Sequence, residues 1–287
     1  MGIDLESVGR TTAPALVRWT ERDVLLYAVA VGAGQSSASE ELYLTTENSD
    51  GIELRVLPTF AITLVHRVPS PSYGPVDRAM VLHGEQYLDV RSPIPVDGEA
   101  QLTSEITSIE DKGSGALVVT ETVARLPESG EILFTTRSAS FVRGEGGFGQ
   151  TVGAPSPGPE KLPSRDPDLR VASGSRPDQA LLYRLTGDRN PLHSYPSVAS
   201  RAGFDRPILH GLCTFGITAR MLIHAVCHGD PERVRSISGR FSRVVYPGEG
   251  LAIDVWVDGS FVRFRTSTDS GVVLDRGAFS YDGAGLE

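Results

Sequence analysis

Tyr183-Arg-Leu-Thr-Gly187-Asp188-Arg-Asn190-Pro191-Leu-His193 sets a carboxylate and an imidazole five positions apart across a Gly/Asn/Pro turn, with a side-chain amide between them. An acid and a base held on one bend can take a proton from water and return one to a neighbouring atom. Further along, Pro207-Ile-Leu-His210-Gly211-Leu212 opens an apolar helical pattern. The first turn of a helix offers free backbone N–H groups to developing negative charge, and a glycine there lets a ligand approach the backbone closely. Base, acid and oxyanion donor are the parts needed to add water to an activated double bond.

Such a turn has to be held by packed elements. From Gly211 to His228, Leu212, Phe215, Ala219, Leu222, Ile223 and Val226 recur at three- and four-residue steps, which predicts one long helix with a single buried stripe. Gly229 and Pro231 supply its stop. Strand-like alternation follows in Leu251-Ala-Ile253-Asp-Val255-Trp-Val257 and Phe261-Val-Arg-Phe264. The first half repeats this order. A helical segment (Arg22 to Val31, against Asp178 to Leu185) leads to a turn and a longer apolar stretch, then to strands after a related corner. That corner is Pro93-Ile-Pro95-Val-Asp97-Gly98-Glu99 in one half and Val244-Val-Tyr-Pro247-Gly248-Glu249-Gly250 in the other. The first-half counterpart of the long helix, near Pro58-Thr-Phe60-Ala-Ile-Thr-Leu-Val65, is less regular. Residues 144 to 168 are rich in Gly, Pro, Ser and charge without periodicity, and read as a linker. The economical reading is two copies of one α+β unit, residues 1–145 and 171–287, joined by 146–170.

At 287 residues with a net charge of −9, the chain can build real cores and is no general nucleic-acid binder. No charged-then-apolar N-terminal signal and no membrane-length apolar run is present, so a soluble, cytoplasmic protein is expected. Cys213 and Cys227 sit in no metal or redox spacing. Gly144-x-Gly146-x-x-Gly149 matches a dinucleotide fingerprint, but prolines follow where its helix must start, which leaves it as linker. His224 and His228 are spaced like zinc ligands without the glutamate or third ligand that would complete the site. His210 reads equally as an active-site wall or a packed residue. There is no Gly-x-Ser-x-Gly elbow for a serine hydrolase.

These residues resemble the hydratase 2 enzymes, the MaoC-like (R)-specific enoyl-CoA hydratases or 3-hydroxyacyl-thioester dehydratases. Their signature is Tyr, a short spacer, then Gly-Asp-x-Asn-Pro-x-His, matched here from Tyr183 to His193. Leu82-His83-Gly84-Glu85-Gln86 and Asp111-Lys112-Gly113-Ser114-Gly115 look like the N-terminal part of the two-hotdog members, so the resemblance spans nearly the whole chain. It implies a double hotdog, each half a long helix wrapped by a curved antiparallel sheet. The active site would lie in the second half, while the first houses the acyl chain and CoA and makes room for long or bulky acyl groups. The implied reaction is syn addition of water to trans-2-enoyl-CoA, giving (3R)-3-hydroxyacyl-CoA in fatty-acid or related lipid metabolism, with no cofactor and no metal.

By position, the resemblance has Asp188 and His193 hold and activate the water. Asn190 orients that water or the thioester, and the Gly211 N–H donates to the thioester oxygen. His83 and Gly84 touch substrate, Lys112 meets the CoA phosphates, Phe241 lies beside the pantetheine, and Arg189 is placed with this CoA-binding set. Which of Asp188 and His193 takes the first proton stays open, as do chain length and the choice between CoA and acyl carrier protein. The alternatives are a hotdog thioesterase, an acyl-carrier-protein dehydratase, and a non-catalytic acyl-CoA-binding hotdog; retention of both acid and base speaks against the last. A homodimer is compatible with the reading, and the Gly285-Leu286-Glu287 end is not a peroxisomal address.

Overall fold

The computed structural model describes residues 2–77, 80–155 and 161–283. The Gly285-Leu286-Glu287 end and residues 156–160 of the connecting segment lie outside the described residues. Eleven strands form one antiparallel sheet. The first half contributes β1 (Ala15–Trp19), β2 (Val81–Val90), β3 (Gly98–Asp111), β4 (Gly115–Arg125), β5 (Ile132–Arg143) and β6 (Thr151–Gly153). The second contributes β7 (Leu169–Gly174), β8 (Val234–Phe241), β9 (Gly250–Asp258), β10 (Phe261–Thr268) and β11 (Gly271–Tyr281). The spatial order β1-β3-β4-β5-β2 meets β8-β11-β10-β9-β7, so read outward from the seam each half has the same topology. The halves join along β2 and β8, paired from Glu85↔Arg240 to Asp89↔Ser236. Alternation decides which face is buried: in β10, Val262, Phe264 and Thr266 point inward between partly exposed neighbours.

The helices are α1 (Glu21–Ala30), α2 (Leu42–Thr45), α3 (Ala61–Val65), α4 (Gln179–Tyr183), α5 (Pro196–Arg201) and α6 (Gly211–Val226). The long helix expected over 211–228 ends at Val226, because His228 (φ 55°) and Gly229 (φ 81°) turn left-handed. The Gly229 N–H returns to the Ile223 carbonyl. A single apolar stripe understates α6. Thr214, Gly216, Ile217, Thr218 and Arg220 are buried as well as the stripe, because the second half's strands and the first half's helices enclose most of the helix. A Cβ at Gly216 would stand 2.6 Å from Val31 and 2.7 Å from the Tyr27 hydroxyl, so its absence is what lets α1 and α6 approach. In the first half, a 3-10 turn (Pro58–Phe60) and five-residue α3 stand where the long helix of a hotdog would be. One cluster of buried apolar residues runs through both halves, from Trp19 and Phe60 to Phe215, Phe264 and Phe279.

One polar cluster ties this core together. Arg220 of α6 donates to both carboxylate oxygens of Glu41 (2.7 and 2.8 Å) and, through Nε, to the Val31 carbonyl (3.1 Å). His224 Nε2 bonds the same carboxylate at 2.7 Å, which accounts for that histidine without any metal. The 146–170 connection is not featureless: β6 pairs with β3, and β7 begins at Leu169. The Asp111 carboxylate accepts the N–H groups of Gly113, Gly147 and Gly149. Positive φ at Gly147 and Gly149 curls the glycine run around a side chain of its own half, and the next element is the strand β6.

Candidate active site

Local chain chemistry shapes the acid–base turn. α4 and a 3-10 turn (Arg184–Thr186) end at Gly187, whose φ of 142° admits only glycine comfortably. The Asp188 carboxylate accepts the Asn190 N–H (3.1 Å), and Asn190 Oδ1 accepts the Leu192 N–H (3.0 Å). Pro191 then starts a 3-10 turn that carries His193. His193 Nδ1 bonds the Ile208 carbonyl (2.9 Å), which makes Nδ1–H the donor and leaves Nε2 bare to accept a proton. One ligating atom each of Asp188, His193 and His210 lies within 4.8 Å of the other two.

His210 is the packed residue of the two readings: it is buried and is not among the residues that line the neighbouring cavity. Its ring stacks on His193 (centroids 3.7 Å, 27°) and tilts against Tyr183 (4.9 Å). Its Nε2 donates to the Asp188 carbonyl (3.2 Å), so it braces the turn that holds the acid. Near-parallel imidazoles do not converge their lone pairs on one point as tetrahedral metal ligands do. Burial, with the neighbouring His193, pushes His210 down to about 3. Burial also lowers His193, partly offset by its bond to Ile208 and by Asp188. For Asp188 burial acts upward, yet His210, the Asn190 N–H, His66 and His193 together hold it below the ordinary carboxylate value. The pair therefore rests as carboxylate and neutral imidazole at pH 7.

Both groups open on a cavity of about 590 Å³ that Gly211 also lines. Gly211 is the first residue of the sixteen-residue α6, and its N–H bonds no described residue. Phe241 packs over it, 3.0 Å from where a Cβ would be, and meets His83 edge-on at 4.9 Å. His83 Nε2 and Thr214 Oγ1 are buried in the cavity wall and bond no described residue. Burial, together with His66, takes His83 down to about 4.

Of the residues expected from sequence, Asp188, Asn190, His193, Gly211, His83 and Phe241 line this one cavity. Gly84, Lys112 and Arg189 are not among its lining residues. Gly84 forms a bulge in β2, Arg189 is exposed, and Lys112 pairs with Glu110 at 2.8 Å. Sequence reasoning missed His66, which follows α3 and faces the cavity from the first half, and Arg143 and Arg243, which also line it. No local motif marks them, because packing between distant segments brings them there.

A family model described as the MFE-2 hydratase 2 N-terminal domain matches residues 17–144, and one described as the MaoC like domain matches residues 158–276. The chain is 42% identical to the 3-hydroxyacyl-thioester dehydratase Y of Mycobacterium tuberculosis, over 98% of this chain and 99% of that protein. It is 39% identical to the peroxisomal enoyl-CoA hydratase 2 of Arabidopsis thaliana, over 86% and 85%. The crystal structure of a MaoC-like dehydratase from Phytophthora capsici superposes with a TM-score of 0.88 at 30% identity, covering 98% of this chain and 99% of that one.

Proposed function

The chain belongs to the MaoC-like hydratase 2 family, and on that premise we propose that it is a hydro-lyase interconverting trans-2-enoyl-CoA and (3R)-3-hydroxyacyl-CoA. One observation carries the reading: the Asp188 carboxylate, the bare His193 Nε2 and the free Gly211 N–H open on a single cavity.

In this mechanism a water bound between Asp188 and His193 loses a proton to that pair as its oxygen bonds Cβ. The π electrons move toward the thioester, and negative charge grows on its oxygen. The Gly211 N–H, at the positive end of α6, accepts that charge, a contribution typically worth about 3 kcal/mol of barrier. The pair then delivers a proton to Cα on the same face, so atoms and charge balance without a cofactor or metal. Asn190, capping the turn, keeps acid and base at their spacing. The apolar wall from Leu192, Phe204 and Leu212 suits an acyl chain. The short α3 leaves the first half free of a central long helix, which supports a role in housing longer acyl groups. Among the described residues no helix is long and apolar enough to cross a membrane; a cytoplasmic enzyme of fatty-acid or related lipid metabolism, able to form homodimers, is consistent with this.

The test is hydration of crotonyl-CoA and longer enoyl-CoAs, followed by loss of enoyl absorbance with chiral analysis of the product. An (R) product, with the rate unchanged after dialysis against a chelator, is expected. An (S) product, or no hydration across a broad panel, refutes the proposal, and free thiol release from a saturated acyl-CoA identifies a thioesterase instead.

A further inference from the structure

We propose that Arg143 and Arg243 form a two-sided clamp for the phosphates carried on the pantetheine arm of the substrate. The inference rests on the acyl-thioester reading above and deepens it. The seam between the halves ends at Glu85↔Arg240. Beyond that pair the two strands part. β2 bulges between His83 and Glu85 and runs on beside β5 to Val81↔Val142. The chain of β8 continues through Phe241 and Ser242 to Arg243. The cavity occupies this split. Arg143, the last residue of β5 and next to Val142, stands on the first-half side, and Arg243, three residues past Arg240, stands on the second.

Both arginines are exposed, and neither side chain makes a hydrogen bond or ion pair with any described residue. Several other cations of this acidic chain are engaged: Arg170 and Arg265 share Asp254, Arg220 holds Glu41, and Lys112 is taken by Glu110; what sets Arg143 and Arg243 apart is that both line the cavity. Two unengaged guanidinium groups on the wall of one cavity, one from each half, suit an anion with several oxygens, and planar guanidinium forks match phosphate bidentately. The remaining wall fixes the orientation of what enters. Acid, base and Gly211 N–H serve the thioester end, while Phe241 and Val245 offer apolar surface to a slender arm, which leaves the charged end for the arginines. The phosphate diester next to the pantetheine occurs in both CoA and acyl carrier protein; the further phosphates belong to CoA alone.

Titration calorimetry with butyryl-CoA, butyryl-4′-phosphopantetheine and butyryl-pantetheine, saturated thioesters that cannot be hydrated, tests the clamp. Arg143→Gln and Arg243→Gln are each expected to weaken butyryl-CoA about tenfold, the worth of one charge-assisted hydrogen bond, and to leave butyryl-pantetheine unaffected. A loss shared with the phosphopantetheine thioester assigns the clamp to the phosphate common to both carriers; a loss confined to butyryl-CoA assigns it to the nucleotide end. Unchanged butyryl-CoA affinity in the double variant, or an equal loss with butyryl-pantetheine, overturns the proposal. Wild-type hydration of crotonyl-CoA, measured alongside, separates the two readings: hydration with the double variant still binding normally removes the clamp alone. Neither hydration nor butyryl-CoA binding removes both.

Discussion

Replacing Gly211 with alanine separates electrostatic catalysis from packing at a position where the two are usually confounded. The new methyl would lie 3.0 and 3.1 Å from Phe241 Cε1 and Cδ1, whereas carbons rest about 3.5–4.0 Å apart. The ring therefore has to withdraw by roughly half an ångström. It can do so, because Phe241 borders the cavity and only its other side is braced, edge-on by His83 and at 6.4 Å by Phe215. Gly211 is not left-handed, so alanine fits its backbone and recovers up to about 1 kcal/mol of helix propensity. Repacking costs about 1–2 kcal/mol, so stability changes little and Tm moves by a few degrees at most. Turnover behaves differently. The methyl crowds the approach to the Gly211 amide, which is placed for the thioester oxygen, and losing such a donor costs about 3 kcal/mol, or ~100-fold in kcat. Circular dichroism melts and initial rates with crotonyl-CoA measure the two quantities separately. A folded Gly211→Ala protein with kcat within a few-fold of wild type would show that this amide does not receive the charge.

Asp188→Asn and His193→Gln are each expected to lower kcat by about 10²–10⁴ with unfolding curves near wild type; the double variant should lose little more than the worse single one, because the pair acts as a unit. Burial lowers the His193 imidazole, and its neighbours lower the Asp188 carboxylate. The active protonation state should therefore persist below the ordinary imidazole value of about 6.5. An acid limb of kcat/KM centred at or above that pH contradicts the assignment. Glu41 is held at about 2 against an ordinary 4.5: burial acts upward, and His224, Arg220 and the Gly34 N–H more than reverse it. A depressed carboxylate stabilises the fold above its unfolded pKa, and that contribution is lost as pH falls from about 4.5 toward about 2. Glu41→Gln should thus cost on the order of 2 kcal/mol at pH 7. The gap in melting temperature should close below pH 4.5, and a gap independent of pH sinks the idea.

Much of the site is written into short stretches of chain. Gly187 must sit between Thr186 and Asp188 because the backbone there is left-handed in φ, and Asn190 caps its own turn. Pro191 starts the turn that presents His193. Each is a preference of a few neighbouring residues, which is why acid, base and helix start could be read in order, and why strand alternation exposed the duplicated half. Lys112 shows the limit: its motif is present, yet its ammonium pairs with Glu110 and it is not among the residues that line the cavity.

What sequence alone determined, then, is the chemistry of residues 183–193, the start of α6 at Gly211, and the repeat of one α+β unit. Tertiary structure decided that β2 and β8 pair across the seam, that α6 is buried beyond its apolar stripe and gripped by Glu41, and that His66, Arg143 and Arg243 meet at the same cavity. The physical reason is range: turn and helix signals arise between residues a few bonds apart. The register of two strands about 150 residues apart in the chain is chosen only when both complete sheets compete to bury their apolar faces.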